Sequence, residues 1–310
     1  MHPAAAARND VNVGDGGTNV AALTRDRLPA DRAGTHDDVT VWLGTSGWQY
    51  RDWRGPVYPQ KLAQAKWLEH YVTLFDTVEV NNAFYRLPAA ETFAQWARRT
   101  PEGFVVTVKA SRFLTHIKRL NDAEGPVEMF FERARHLGRK LGPVLVQLPP
   151  RFNVEVERLD TTLACFAKHG IKVAVEVRDD TWYVDAVRDV LTRYDAPLVW
   201  ADRKGRPLGP LWRTASWGYV RLHEGDAEWP CYTTGVLDAW ARRIANAHDA
   251  SDDVFVYFNN DPRGCAVHDA AVFARSCARI GLDVTRAPDP RDHQPVRPEP
   301  APAQPTSRAT

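Results

Sequence analysis

Glu176 and Arg178 interrupt the apolar run "VAVEVRDDTW", residues 173–182, and stand two positions apart. In a strand that spacing points both side chains to one face. Burying a charge without a partner costs several kcal/mol or more, so the pair needs a reason. The same spacing recurs along the chain. Glu79 and Asn81 share a face in "VEVNN", Thr107 and Lys109 in "VVTVKAS", Arg221 and His223 in "YVRLH", and Tyr257 and Asn259 in "VFVYFNND". Gln147 stands among apolar neighbours in "VLVQLP", and Asp202 ends "LVWAD". Each polar residue lies towards the C-terminal end of its run.

Three carboxylates, Glu79, Glu176 and Asp202, therefore face three cations, Lys109, Arg178 and Arg221, with His223 as a titrating neighbour. A metal-free acid/base site fits this mixture. A carboxylate paired with Arg stays ionised and can act as a base, so Glu79 or Glu176 is the candidate base. His223 or Tyr257 is the candidate acid. Arg178, Arg221 and Lys109 suit a phosphate or carboxylate of a small anionic ligand. Asn81, Gln147, Asp202 and Asn259 are further substrate-binding candidates. No cofactor is expected. A two-metal cluster would not gather so many cations, although one divalent ion on Glu176, Asp202 and His223 is the metal alternative. Lys109 on a strand also raises Schiff-base chemistry, with a plain salt bridge as the simpler reading. The structural alternative for the set is mutual neutralisation, with Arg221 or Arg178 clamping Glu176 or Glu79.

Loops add aromatics and positive charge. "GTSGWQYRDWRGPVYP" carries Trp48, Tyr50, Trp53 and Tyr58 beside Arg51 and Arg54. These rings could stack on a base or sugar, or cap a hydrophobic core. Trp48 and Tyr50 are the substrate-binding candidates there. "NNAFYRLP" adds Tyr85 and Arg86, and "KASRFLTHIKRL" adds Arg112, His116, Lys118 and Arg119.

The elements that must position these residues alternate. Eight β-rich runs, "VWLGTS", "DTVEVN", "FVVTVK", "VLVQLP", "KVAVEV", "PLVWAD", "YVRLH" and "VFVYFN", are separated mostly by helical patterns. "AAETFAQWARRT" places Phe93, Trp96 and Ala97 on one stripe. "PVEMFFERARHLGRKLG" predicts a helix starting near Pro126 and ending at Gly142 as its C-cap. "TTGVLDAWARRIANAH" aligns Val236, Leu237, Trp240 and Ile244 behind Thr233 or Thr234 as N-cap. The stretch between runs six and seven is too short and Pro/Gly-rich for a long helix. Alternation of this kind predicts an α/β fold with parallel strands, and eight strands fit a single-domain (β/α)8 TIM-barrel-like architecture. An open doubly wound sheet competes, but no GxGxxG follows a strand and no GxxxxGK[ST] occurs. In a barrel the polar ends converge at the C-terminal mouth, while the alternate residues face the helices.

The formal net charge is +1, from 40 basic and 39 acidic residues, which provides no field-driven reason to expect nucleic acid or an anionic membrane. No run approaches the ~20 apolar residues of a membrane helix. The N-terminus lacks the apolar core of a signal peptide. Cys165, Cys231, Cys265 and Cys277 are scattered, which suggests plain packing in a reducing cytosol and hence a cytoplasmic protein. Residues 1–38 and the Pro-rich tail 287–310 are polar and aperiodic, so disorder is expected at both ends of a domain spanning 39–286. The tail could also serve as a Pro-rich ligand for a protein partner.

Taken together, "GTSGWQYRDWRGPVYP", "FDTVEVNNAFYRLP", "GFVVTVKASRFLTH", "LGPVLVQLPPRF", "VAVEVRDDTW", "YVRLH" and "VYFNND" resemble the YecE-like family, domain of unknown function seventy-two. The resemblance spans about Val41 to Leu282 in family order. Asn82 departs from it, standing where a small hydroxyl residue is usual. The resemblance implies a TIM-barrel-like fold and supplies neither a reaction nor catalytic residues. The residues themselves point to an enzyme binding a phosphate-, sugar- or nucleotide-like anion at a polar mouth. A metal-dependent, endonuclease-like barrel acting on DNA and a non-catalytic nucleic-acid-binding protein are the alternatives.

Overall fold

The computed structural model describes residues 39–225, 229–249 and 252–296. The expected N-terminal extension, 1–38, and the end of the tail, 297–310, lie outside the described residues. All eight apolar runs form strands. They are β1 (Thr40–Thr45), β2 (Thr77–Val80), β3 (Val105–Lys109), β4 (Leu141–Gln147), β5 (Val173–Glu176), β6 (Trp200–Arg203), β8 (Gly218–Leu222) and β9 (Asp253–Phe258). Two-residue strands add β7 (Arg206–Pro207) and β10 (Asp283–Val284). Between them run α1 (Trp67–Leu74), α2 (Asn82–Tyr85), α3 (Ala90–Arg99), α4 (Glu124–Ala134), α5 (Val156–Ala167), α6 (Asp185–Arg193), α7 (Thr234–Ala247) and α8 (Cys265–Ala278).

The strands form two ladders, β10-β1-β9-β8-β6-β7 and β2-β3-β4-β5. All pairings are parallel except β6 with β7. The two ladders meet at β5, where Val175 N–H donates to Pro197 O at 3.0 Å and Val199 N–H to Val175 O at 2.8 Å. On the other side β1 and β2 lie close without a ladder. A Cβ on Gly44 would stand 2.5 Å from Thr77 O, so only glycine permits that approach. The Tyr71 hydroxyl spans the gap, accepting from Thr45 N–H at 3.0 Å and donating to Thr77 O at 3.1 Å. The result is a TIM-barrel-like α/β arrangement of two parallel sheets.

Period two sorts the side chains. Val173, Val175 and Val177 join the large core shared with the helices. Ala174 turns inwards with Val105, Leu145, Val199, Ala201, Trp217, Tyr219, Phe255 and Tyr257. Each fully buried large apolar side chain contributes about 1.5–3 kcal/mol, enough to hold strand register against a one-residue slip. Phe93 and Trp96 anchor α3, and Leu237, Trp240 and Ile244 anchor α7, whose N-cap is Thr233.

Three expectations change. Gly142 is not a helix cap: α4 ends at Ala134, a 3-10 stretch over Arg135–Lys140 follows with Gly138 at φ 58°, and Gly142 lies in β4. There a Cβ would meet Val105 Cγ1 at 2.4 Å, so close strand packing, not a cap, demands the glycine. Residues 204–217 carry β7 and turns. Cys231 and Cys265 are joined as a disulfide across 34 positions, so plain packing describes only Cys165 and Cys277, both buried. Finally, residues 287–296 are ordered against the body. Arg275 pairs with Asp289, His293 Nδ1 lies 3.2 Å from Pro56 O, and Val296 N–H donates to Arg263 O. Among the described residues no helix is long and apolar enough to cross a membrane.

Candidate functional site at the strand ends

Parallel register stacks the inward residues in layers. Arg221 on β8 is level with Tyr257 on β9 and Ala201 on β6, Glu79 with Thr107, and Gln147 with Glu176. Arg221 therefore reaches both flanking carboxylates. Its Nε donates to Glu79 Oε2 at 2.9 Å and its Nη2 to Glu79 Oε1 at 2.7 Å. Its Nη1 donates to Glu176 Oε2 at 2.7 Å. The Tyr219 hydroxyl adds a donor to Glu79 Oε2 at 2.6 Å. Glu79, Glu176 and Arg221 are all at most 1% exposed.

Burial pushes both carboxyls up, but the Arg221 guanidinium outweighs it. Glu79 is held below the usual range, with Tyr219 assisting, and Glu176 well below it, with His223 and Arg178 assisting. Both therefore stay ionised. Arg178 also pairs with Glu176, through Nη2 and Oε1. This answers the question raised by "VAVEVRDDTW": its two charges pair with each other, and Arg221 completes the set. Two carboxylates thus face two guanidiniums in a neutral, hydrogen-bonded lattice, the arrangement that makes buried charge tolerable.

His223 lies at the edge of this lattice. Arg178 Nη2 donates to its Nε2 at 2.9 Å, and the Asn259 amide stands 2.9 Å from Nδ1. Glu176 Oε1 also lies 3.3 Å from Nε2, and it is Asn259 Nδ2 that faces Nδ1, so the donor and acceptor roles of the two ring nitrogens follow from the tautomer. Burial lowers the His223 pKa, with Glu176 opposing, which keeps the ring neutral.

Lys109 differs from every other cation in this set. Among the described residues no carboxylate lies within ion-pair distance of Nζ, which instead sits 4.2 Å from the centroid of the Phe84 ring. Burial first, and then repulsion from Arg221, pushes its pKa down to about 8. His116 packs edge-on against the same ring, at 4.8 Å between centroids. Burial and the nearby Lys109 cation push His116 down to about 4, so it is neutral at pH 7. His116, Gln147, Arg178, Asp180, Tyr183 and Arg203 line an open cleft of about 470 Å³. Arg178 Nε is buried there without a hydrogen-bond partner.

Several expected site residues lie elsewhere or are already engaged. Asp202 faces away from the strand interior, because Ala201 occupies that face. Its Oδ1 accepts from the Tyr232 hydroxyl at 2.6 Å and His223 N–H at 2.8 Å, and its Oδ2 from Gly205 N–H. Burial raises its pKa to about 6. It braces a loop and does not join Glu176 and His223 as a metal ligand. Among the described residues no group of three His, Cys, Asp or Glu side chains is placed to hold a metal ion. Tyr257 is fully buried between Thr77 Oγ1 at 2.7 Å and Thr107 Oγ1 at 2.8 Å, and burial raises its pKa, so its proton is not at hand. Arg221, expected to hold an anion, has spent its donors on the two carboxylates. Those same bonds leave Glu79 and Glu176 poor bases. Trp48 is buried against Trp96, and Tyr50 donates to Ser46 O at 2.6 Å beside Trp53, so this loop caps the core. Asn81 Nδ2 donates to Ser46 O at 3.1 Å, while its Oδ1 is buried without a partner. Tyr85 is 80% exposed on the rim.

Some site residues were not singled out in advance. Tyr219 reads as an apolar strand residue until its hydroxyl meets Glu79. Arg203 ends β6 and Asp180 follows β5 by a few positions, and only the cleft shows that they converge. His116 was visible only as part of a basic loop. A π-helical turn over Phe113–Ile117 turns it inwards.

The sequence profile described as "Protein of unknown function DUF72" matches residues 42–294. This chain belongs to the DUF72 family. The matched span includes residues 287–294 of the ordered segment after residue 286. The UPF0759 protein YunF of Bacillus subtilis is 26% identical over 258 residues, covering 73% of this chain and 90% of YunF. A DUF72 family protein from Thermotoga maritima, solved by crystallography, superposes with a TM-score of 0.65 at 26% identity, covering 76% of this chain and 98% of that one. A DUF72 family protein from Enterococcus faecalis superposes at 0.64 with 21% identity, over 77% and 95% of the two chains. For this DUF72 protein the shared family and fold carry no reaction with them.

Proposed function

We propose that this DUF72 protein is an enzyme that binds a small anionic substrate, phosphate-, sugar- or nucleotide-like, in the cleft at the strand ends. The observation that carries the reading is Arg178. Its Nη2 is fixed by Glu176 and His223, yet its Nε is buried beside an open cleft with no partner. A donor left in that state costs about 1–3 kcal/mol unless a ligand or water satisfies it. Arg203 supplies a second cation, and Gln147 a neutral hydrogen-bonding group. Lys109 is the acid/base group, because a pKa near 8 lets it hold or release a proton close to neutrality. The sealed Glu79–Arg221–Glu176 lattice takes no part in the reaction and holds Arg178 in place.

Thermal unfolding with inorganic phosphate and a set of phosphorylated sugars and nucleotides tests this. A ligand at 100 times its Kd should stabilise by about 2.7 kcal/mol. The shift should vanish in Arg178→Gln and persist in Arg98→Ala, a surface change. No shift with any anion, or a shift unchanged in Arg178→Gln, rejects the reading. A nucleic-acid-binding role would instead use the exposed rings of Tyr85 and Phe113 beside Arg112 and Arg119. Oligonucleotide affinity that falls steeply with salt would identify it. The metal-dependent endonuclease reading lacks its expected ligand, since Asp202 faces away from Glu176 and His223.

A further inference from the structure

We propose that Lys109 is a covalent catalytic residue whose Nζ condenses with an aldehyde or ketone carbon of the anionic substrate to form an imine. This rests on the anion-binding reading above and adds the substrate's chemical class. The geometry argues for it in three ways. Lysines in protein interiors are ordinarily paired, yet both lattice carboxylates, Glu79 and Glu176, are committed to Arg221, and Glu176 also to Arg178. The Lys109 amine points instead to the π face of Phe84, which takes up no proton and leaves the nitrogen lone pair uncommitted once neutral. Finally, β3 is bonded to β4, whose final residue Gln147 lines the cleft with His116 and Arg178, so the amine and the anion-binding edge belong to one end of one sheet.

The charged groups around Lys109 act together. Arg221 from β8 and Arg178 after β5 repel the ammonium, while Glu79 on β2 and Glu176 on β5 attract it. Arg112 and Arg119 add positive charge around His116. With a pKa near 8, about a fifth of the amine is neutral at pH 7.4, against about one part in a thousand for an ordinary lysine. The step balances without a cofactor. The neutral amine adds to the carbonyl carbon, forming a C–N bond, and the carbonyl oxygen takes up a proton. The carbinolamine nitrogen loses a proton, its hydroxyl leaves as water, and C=N remains. His116 is neutral and packs on the same ring, so it can accept the nitrogen proton and return it to the departing hydroxyl.

Pyridoxal 5'-phosphate, an aldehyde carrying a phosphate, is the probe. The full chain is incubated with it at pH 8, reduced with sodium borohydride and mapped by peptide mass spectrometry. Lys109 should carry at least about tenfold more label than the exposed Lys61 and Lys66, because the anion site beside it gathers the probe's phosphate and much of its own amine is neutral at that pH. Inorganic phosphate should suppress the label. Lys109→Arg should lose it while retaining the phosphate-induced thermal shift. Should that variant fail to fold, the wild-type peptide map and phosphate competition still decide. Equal label on Lys109, Lys61 and Lys66, with the phosphate shift intact, overturns the imine and leaves the anion site standing. Label on Lys109 that phosphate does not suppress, with no phosphate shift, overturns the anion site.

Discussion

Two groups of charge occupy the same end of this molecule and behave differently. The Glu79–Arg221–Glu176 lattice is sealed: Arg221 bonds both carboxylates, Glu176 Oε1 is buried with ion-pair contacts to Arg178 and His223 in place of a hydrogen bond, and the side chains are at most 1% exposed. A few residues away, His116 and Arg178 border an open cleft, Lys109 packs on the same Phe84 ring as His116, both of these bases have lowered pKa values, and Arg178 keeps an unsatisfied donor. Charge alone does not mark a site. The sealed group has met its own electrostatic needs and is structural, whereas the open group has needs that a ligand can meet.

The largest test of this contrast is Arg221→Met. It strands two buried carboxylates, so unfolding free energy should fall by about 3–5 kcal/mol in a denaturant titration. A loss below about 1 kcal/mol would mean that the lattice is wet and not sealed.

Acid titration sharpens the same point. Glu79 and Glu176 have folded pKa values below their unfolded values. Their stabilisation is present above the unfolded carboxyl range, near pH 4.3, and is lost as pH falls through the folded values. Glu176→Gln should cost about 2–3 kcal/mol at pH 7 by leaving Arg178 and one edge of Arg221 unpaired. It should also flatten the acid limb. An acid limb as steep as the wild type's would show that Glu176 is not held low.

Lys109 should behave in the opposite sense. Its folded pKa is depressed to about 8, so below that pH the folded state bears a strained ammonium. The unfolded state binds more protons between pH 8 and about 10.4, and stability attributable to Lys109 should rise across that window. Lys109→Met should therefore stabilise the protein at pH 7 by about 1–2 kcal/mol, allowing for its partial solvent contact, and remove the rise. Destabilisation would place Lys109 with the sealed group.

Arg203→Ala should have the smallest effect on folding, within about 0.5 kcal/mol, because its pair with Glu224 is exposed. It should still weaken phosphate-induced stabilisation measurably. No change in that shift would remove Arg203 from the binding edge.

Period two was legible in the strands that carry the charge lattice. Valines 173, 175 and 177 face the helices, and Glu176, Arg221 and Lys109 lie at the strand ends that sequence spacing assigns. Both structural possibilities raised for the charges were also visible, but not which charge follows which. Asp202 shows why: a strand of four residues can present its last carboxylate to either side, and Ala201 takes the inner face. Tyr257 has the spacing of a site residue, yet Thr77 and Thr107 close over it from strands far away in the chain. The Cys231–Cys265 bond joins a loop to the start of α8 with no recognisable spacing, and the contacts of 287–296 depend on surfaces that composition does not reveal.

Local chemistry and periodicity thus determined which side chains gather at this end of the fold, since the alternation of a strand is a property of the backbone. Partnership was decided only in three dimensions. Arg221 can satisfy two carboxylates only because β2, β5 and β8 bring them within 3 Å of one guanidinium. Lys109 is left without a carboxylate for the same reason: hydrogen bonds and Coulomb forces act over distances in space, and sequence separation carries no measure of them.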